Sequence, residues 1–498
     1  MSTTTFQAIA MIIYLVAMVM IGLFAYNRTK SLDDYMLGGR GLGPAVAALS
    51  AGAADMSGWL LMGLPGALYA TGLLEGWIAV GLTVGAWLNW KFTAPRLRAY
   101  SQIAKDSITI PSFLGERLRD TSKTVRIVAG IVITVFFTFY VSSGMVAGGS
   151  FFESSFGMNY HLGMVIVAAV TVLYTLVGGF LAVSWTDVVQ GLIMLIALVA
   201  VPVVGILHVG GIGPLIEQVN AIDPTILSFT HGDHALSGAA ILGIVSALAW
   251  GLGYFGQPHI IVRFMALRSV AEAKQGRRIG IGWMVLSVIG AGLTAIVGVA
   301  VYQHDTGRLA NPEGVFIALG QMLFHPLLAG FMLAAILAAI MSTISSQLLV
   351  TSSALVEDIY HAFTKRELSG ADGVLAGRIA VGAVSVVAAL LAWPRSDTIL
   401  GLVAFAWAGF GASFGPIVIL ALYWRRLTAK GAIAGMITGA VVVGIWGNVS
   451  GGIFDLYEIV PGFLLNLLVT IAISSATHSP HAEIEAEMDQ VVAQTKGI

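Results

Sequence analysis

Apolar runs of roughly 20 residues, separated by short polar stretches, recur from one end of this 498-residue chain to the other. Within each run the apolar positions are contiguous, not alternating with polar ones. That excludes the dyad pattern of barrel strands and predicts helices, whose backbone groups are satisfied inside the segment. The pattern predicts thirteen spans, at 7–26, 44–70, 73–94, 126–151, 160–182, 187–209, 236–260, 279–303, 324–356, 377–394, 398–423, 431–449 and 460–477. The expected fold class is an all-α membrane protein.

Composition agrees with the pattern. Apolar residues make up 57% of the chain and charged ones 10%, against about 25% charged in a soluble protein. The net charge is −1 and there is no long basic block, so nucleic acid is not an expected partner. With no cysteine, disulfides and thiolate metal sites are excluded. The first apolar run follows an uncharged MSTTTFQ and precedes Arg28 and Lys30, the reverse of a signal peptide. It reads as a retained helix with the N-terminus outside.

With an outside start, the inward loops carry Arg28, Lys30, Arg40, the basic residues from Lys91 to Arg126, Arg263, Arg268, Lys274, Arg277, Arg278, Lys365, Arg366, Arg378, Arg425, Arg426 and Lys430; only Arg308 and Arg395 fall outside. Cytoplasmic loops hold the Lys and Arg excess, and an error of one span would scramble this partition. The expectation is one transmembrane transporter domain over 1–478, with core repeats at about 44–209 and 236–423, and a solvated cytoplasmic tail over 479–498. The outside loop near 210–238 is also expected to be solvated. Its HGDH motif (His231, Asp233, His234) reads as loop, since no neighbouring ligand completes a metal site.

The stretch AGAADMSGWLL places Asp55 inside the second apolar run. An ionised Asp near the bilayer centre costs about 2.5 to 3.5 kcal/mol on insertion scales, so something must compensate. Small residues surround it (Ala51, Gly52, Ala53, Ala54, Ser57, Gly58), weakening helix continuity and admitting close neighbours. A break here frees carbonyls before Asp55 and amides after it, and broken backbone at that depth lines protein or a watery cavity. Asp55 then either caps the second half-helix or, together with free carbonyls, makes a cation site.

A second interrupted run, SALAWGLGYFGQPHI in the seventh span, contains Gly251, Gly253, Gly256 and Pro258. Spans 2–6 and 7–11 then form two five-helix units, each opening with a discontinuous helix and inserted with opposite orientation. Paired interruptions of this kind point to a binding site at the midplane. Trp250, Tyr254 and Pro258 are spaced four apart and share a face if the helix persists, offering an aromatic wall; Tyr140 is a further candidate for the same pocket. In the ninth span, Ser342 and Thr343 stand three and four residues beyond Ala339, so both hydroxyls reach its carbonyl. That oxygen cluster suits a hard monovalent cation and equally fits helix packing with hydroxyls bonded to the preceding turn.

At these residues the sequence resembles the solute:sodium symporter family, nearest to its proline-transporting bacterial branch. The matching stretches are DDYMLGGR (Asp33 to Arg40), LSAGAADMSGWLLMGLPGA (Leu49 to Ala67), LVGGFLAVSWTDVVQ (Leu176 to Gln190), WGLGYFGQPHI (Trp250 to Ile260), AAIMSTISSQLL (Ala338 to Leu349) and AWAGFGASFGP (Ala406 to Pro416). The resemblance implies the LeuT-like 5+5 inverted repeat, with one helix added in front and two behind. It implies a sodium site from the carbonyls of Ala53, Met56 and Ala339 and the hydroxyls of Ser342 and Thr343. Asp55, with Ser57 and Gly58 beside it, would serve sodium affinity and coupling. Trp250, Tyr254, Pro258 and Tyr140 would line the L-proline site, and Arg40 and Asp187 would act in gating or coupling. Ala54 stands where proline-transporting relatives often have Ser. The implied function is sodium-coupled proline import by alternating access in a bacterial inner membrane, with no organic cofactor, no obligate protein partner and no metal other than sodium. The alternatives are a symporter for a sugar, pantothenate or a monocarboxylate, and a transporter-like sensor. An enzyme is not expected, because metal-ligand or His/Glu pairs that activate water are missing from the spans. Spacing alone does not separate proton from sodium coupling.

Overall fold

The structure, a computed structural model, describes residues 2–26, 37–230, 237–303, 309–364, 370–394 and 398–497. The HGDH motif, Arg28, Lys30, residues 33–36 of the DDYMLGGR stretch, Arg308, Lys365, Arg366 and Arg395 lie outside the described residues. The described chain is helical, and its one β-bridge joins Leu42 to Leu267. Among the described residues, ten helices are long and apolar enough to cross a membrane, and a bent pair, Pro44–Asp55 with Trp59–Thr71, makes a candidate eleventh.

The most buried helix forms the centre. In Pro326–Thr364, 83% of the most apolar window is buried within the protein, against 33% for Thr3–Phe24 and Ile459–Thr477 at the periphery. The sequence explains the contrast. The central helix is built from Ala, Ser and Thr, which let neighbours approach closely, whereas the outer ones turn Ile12, Met20, Phe24 and Leu468 outward, as a lipid-facing surface requires.

Several boundaries differ from the sequence expectation. The fifth and sixth spans, Tyr160–Leu176 and Gly179–His208, meet at a kink at Gly179, whose φ of 63° only glycine adopts without strain. The joint lies before SWTD, so Asp187 stands well inside the second helix rather than at its end. The stretch after Gly76–Leu88 continues through a wide π turn, Asn89–Thr93, into Ala94–Ile103, so Arg96 and Arg98 are helical, not loop, residues. Arg263 was expected in an inward loop; it lies on the helix Pro258–Met265 and is fully buried, because the chain re-forms a helix after the glycine-rich break.

The two segments expected to be solvated are also structured. The outer loop holds the amphipathic helix Ile212–Ile222, which buries Leu215 and Val219. The tail forms the helix Ala482–Thr495, with Ile484, Met488 and Val491 buried along one face. Three of its four acids are paired: Glu487 and Glu483 meet Arg119 at 2.5 and 3.4 Å, and Asp489 meets Arg425. The apolar spacing of four and three was the signal for a docked helix.

Candidate functional site

The second span is broken where its small residues predict. Helix Pro44–Asp55 ends at Met56 (φ −80°, ψ 77°), and the chain resumes as Trp59–Thr71 after a bend of 62°. The freed groups are largely met locally: the Ser57 amide donates to the Asp55 carbonyl at 3.0 Å, and the Trp59 indole donates to the same oxygen at 3.2 Å. Gly58 is needed for close approach, since a Cβ there would lie 3.0 Å from that of Ala147 and 3.2 Å from Ile340.

Asp55 is buried. Its Oδ2 accepts a hydrogen bond from the Tyr254 hydroxyl, while its Oδ1 has no hydrogen-bond partner. No cationic side chain pairs with it among the described residues. The ninth span meets the break from the other side: the Ser342 hydroxyl donates to the Ala53 carbonyl at 2.7 Å and to the Ala339 carbonyl at 3.1 Å, and the Thr343 hydroxyl donates to the Ala339 carbonyl at 3.1 Å. Ala53, Ala339, Ser342 and Thr343 are therefore one cluster of hard oxygens, all fully or almost fully buried. Met56 is buried at the break and lines a small cavity with Asp55.

The seventh span is interrupted as a 3-10 segment, Ala249–Gly256, followed at Pro258 by a new helix. In a 3-10 turn the repeat is three residues, so Trp250, Tyr254 and Pro258 do not share a face. Tyr254 turns to Asp55; Trp250 stacks on Tyr457 with ring centroids 5.4 Å apart and lies near Trp407 (6.4 Å) and Trp59 (6.5 Å). Pro258 lines a separate small cavity with Thr109, Val262 and Asp358. Tyr140 is buried beside Ser57, edge-on to the His259 ring at 5.8 Å. Gly253 packs against the Trp407 indole with no room for a side chain, and that indole donates to the Trp250 carbonyl at 2.8 Å.

Arg40 and Asp187 lie apart from this pocket. Arg40, at φ 53° in the GGR turn, donates to Asp106 (2.7 Å), Ser101 (3.0 Å), the Met265 carbonyl (2.8 Å) and the Ser107 carbonyl (2.7 Å). It thus ties the start of the broken helix to the end of helix Pro258–Met265, where the Leu42 amide also donates to the Ala266 carbonyl and the Leu42 carbonyl accepts from the Arg268 amide. Asp187 takes the Ser50 hydroxyl at 2.7 Å and the Arg263 guanidinium at 3.2 Å; Arg263 also donates to Ser50, Ser346 and the His259 carbonyl. Sequence reading missed Arg263, Ser50, Asn89, Trp407 and Tyr457. An arginine flanked by HIIV and FMAL was a signal for burial; nothing in the sequence marks Tyr457.

A cation held between two broken or small-residue helices would fasten them, and an aromatic cage beside it would receive a small apolar body. Known proteins share this arrangement of chain. The profile of the Sodium:solute symporter family matches residues 35–439. The chain is 59% identical to the high-affinity proline transporter PutP of Bacillus subtilis (strain 168), over 93% of this chain and 96% of that one. It is 52% identical to the osmoregulated proline transporter OpuE of the same strain, over 94% of each. It is 48% identical to a sodium/proline symporter of Staphylococcus aureus (strain JH9), over 96% and 94%. Among solved structures, a Na+-coupled sialic acid symporter in a substrate-bound outward-open state superposes with a TM-score of 0.80 at 20% identity, covering 95% of this chain and 98% of that one. A nucleobase-cation-symport-1 family transporter in a closed conformation gives 0.56 at 13% identity, covering 92% and 98%. At those identities the structures speak to the fold alone.

Proposed function

The chain belongs to the sodium:solute symporter family, and from that premise we propose that it imports L-proline coupled to sodium entry. The observation that carries the substrate is the 48 to 59% identity, across almost the whole chain, to relatives named as proline transporters. A different small solute and a sensory role are not favoured.

Thirteen crossings are our finer reading of the fold: the ten apolar helices, the bent pair, the stretch from Gly76 to Ile103, and the shorter Tyr160–Leu176. Spans 2–6 and 7–11 are then the inverted LeuT-like repeats of one transporter domain. The N-terminus is outside, and Arg40, Arg119, Arg126 and Arg425 mark the cytoplasmic face, which also carries the tail helix.

Sodium binds first, on the carbonyls of Ala53, Met56 and Ala339 and the hydroxyls of Ser342 and Thr343. The contact of Ser342 with both Ala53 and Ala339 supports this, because a sodium ion there replaces two weak bonds with one shared ligand shell. Asp55 supplies the countercharge next to it, with Ser57 and Gly58 shaping the break. Trp250 and Tyr254 receive the proline ring, with Tyr140 behind them. Pro258 acts at a distance, by fixing the start of the inner half-helix. Arg40 latches the cytoplasmic side, and its release accompanies inward opening; Asp187 positions Arg263 in the same half of the protein. One sodium crossing about 100 mV and a tenfold gradient releases roughly 3.7 kcal/mol, enough for several-hundred-fold accumulation at one-to-one coupling.

The test is labelled-proline uptake into proteoliposomes under sodium, proton and potassium gradients imposed separately. Uptake should follow the sodium gradient and be competed by proline but not by sugars, pantothenate or acetate. Uptake driven equally by a proton gradient, or competed by one of those solutes, would refute the reading.

A further inference from the structure

The hydrogen bond from Tyr254 occupies one oxygen of Asp55 and leaves Oδ1 bare. A second bare oxygen lies on the same small cavity. Asn89 opens the π turn Asn89–Thr93 in the neighbouring helix, and it is 1% exposed. Wide turns of this kind re-aim a side chain that an α-helix would direct elsewhere, and they recur at functional sites. Here the turn lets the Asn89 Nδ2 donate to the Tyr254 carbonyl at 3.0 Å, while its Oδ1 has no hydrogen-bond partner. Asp55, Asn89 and Tyr254 line one cavity of about 20 Å³, walled by Trp90, Trp283 and Met284. That is room for a single water-sized body, above the floor of about 10 to 15 Å³.

The chemistry of the lining is one-sided. Both bare polar atoms are acceptors, and one belongs to a carboxylate with no cationic partner. Buried acceptors left unmet are costly, so they select a donor or a cation. We propose that Asn89 is a ligand-binding residue of this transporter: the Oδ1 atoms of Asp55 and Asn89 form a paired acceptor for a small monocation. This rests on the reading of the chain as a sodium-coupled proline importer and adds a subsite to it. Two sources of such a cation are at hand in that reaction. The ring ammonium of proline has two N–H donors, one for each bare oxygen; a second sodium ion would use the same oxygens as ligands. The bond of Asn89 to the interrupted seventh span ties occupation of the subsite to the position of Tyr254.

The experiment uses the full-length protein in proteoliposomes. Wild-type uptake of proline driven by sodium checks the underlying reading separately. Asn89→Leu removes both polar atoms at similar size; Asn89→Asp keeps the acceptor and removes the donor to the Tyr254 carbonyl. Each variant is assayed for the proline concentration at half-maximal uptake, the sodium dependence, and inhibition by tetrahydrofuran-2-carboxylate, which is shaped like proline without its N–H groups. If the ammonium is the ligand, Asn89→Leu raises the half-maximal proline concentration about tenfold or more, the size expected of a charge-assisted hydrogen bond. It also narrows the preference for proline over the furan analogue by a similar factor, while Asn89→Asp retains that preference. If sodium is the ligand, Asn89→Leu lowers the charge carried per proline and the steepness of the sodium curve, and the analogue preference is unchanged. An Asn89 that only braces Tyr254 would be damaged by Asp as badly as by Leu, and that result overturns the proposal. So does an Asn89→Leu protein that matches wild type in all three measurements, which would leave the cavity to ordinary water.

Discussion

Asp55 and Asp187 are two carboxylates buried in the same helical core, and they are neutralised in different ways. Asp187 has a resident cation: Arg263 reaches it at 3.2 Å and the Ser50 hydroxyl bridges the pair. Asp55 has only the Tyr254 hydroxyl, and no guanidinium or ammonium of the described chain comes to it. An isolated charge in low dielectric is expensive, and the chain meets one of these acids with a guanidinium of its own while the other has only a hydroxyl. In the proposed mechanism the difference separates a structural brace from a working site. Arg263 joins Asp187 to Ser346 and to the His259 carbonyl, whereas in the proposed mechanism Asp55 exchanges partners as the ion binds and leaves.

Three substitutions sharpen this comparison. The largest effect is expected from Arg263→Met, which strands Asp187 without a countercharge and should destabilise the protein by about 3 to 5 kcal/mol. Thermal unfolding in detergent checks it. The double variant Arg263→Met with Asp187→Leu should recover most of that stability, and no recovery would show that the pair is not what holds these helices. Next is Asp55→Asn, expected to leave folding and insertion intact while reducing sodium-dependent proline uptake about a hundredfold, as befits loss of a buried charge from an ion site. Sodium affinity of the purified variant equal to wild type would remove Asp55 from that role. The smallest is Ser342→Ala, which deletes one ligand and one bond to Ala53; the sodium concentration for half-maximal uptake should rise about tenfold. A rise confined to proline would place the residue in the substrate pocket instead.

The helical class and most of the spans were legible because lipid imposes a single rule, a long apolar run with no unsatisfied backbone, and that rule is written residue by residue. The break at Met56 was legible for the same reason: glycine, alanine and serine around a lone acid weaken a helix wherever they stand. Joints were harder. Gly179 divides two helices with one residue of positive φ, and nothing distinguishes it in sequence from the other glycines of the spans. The tail was misjudged because its acids were counted before its apolar stripe, and only the partner arginines decide whether such a helix docks or floats.

Around the ninth span, the grouping of Ala339, Ser342 and Thr343 could be expected from local spacing, since a hydroxyl three or four residues on can reach back to a carbonyl. What it meets across the bundle could not. The seventh span shows why: a spacing of four suggested a shared face for Trp250, Tyr254 and Pro258, but with three residues per turn that face is lost, and while Trp250 and Tyr254 both reach Trp407, Pro258 lines a different cavity.

Sequence alone determined that this chain lives in a membrane, that its helices are interrupted in two places, and that an acid sits at the first interruption. These follow from the solvent and from backbone preference, which act on each segment by itself. Only the tertiary structure decided which acid receives an arginine, which tyrosine bonds to Asp55, and that Asn89, with one oxygen unpaired, lines a cavity with that acid. Those are contacts between residues dozens to hundreds of positions apart, fixed by how helices pack, and no local pattern encodes them.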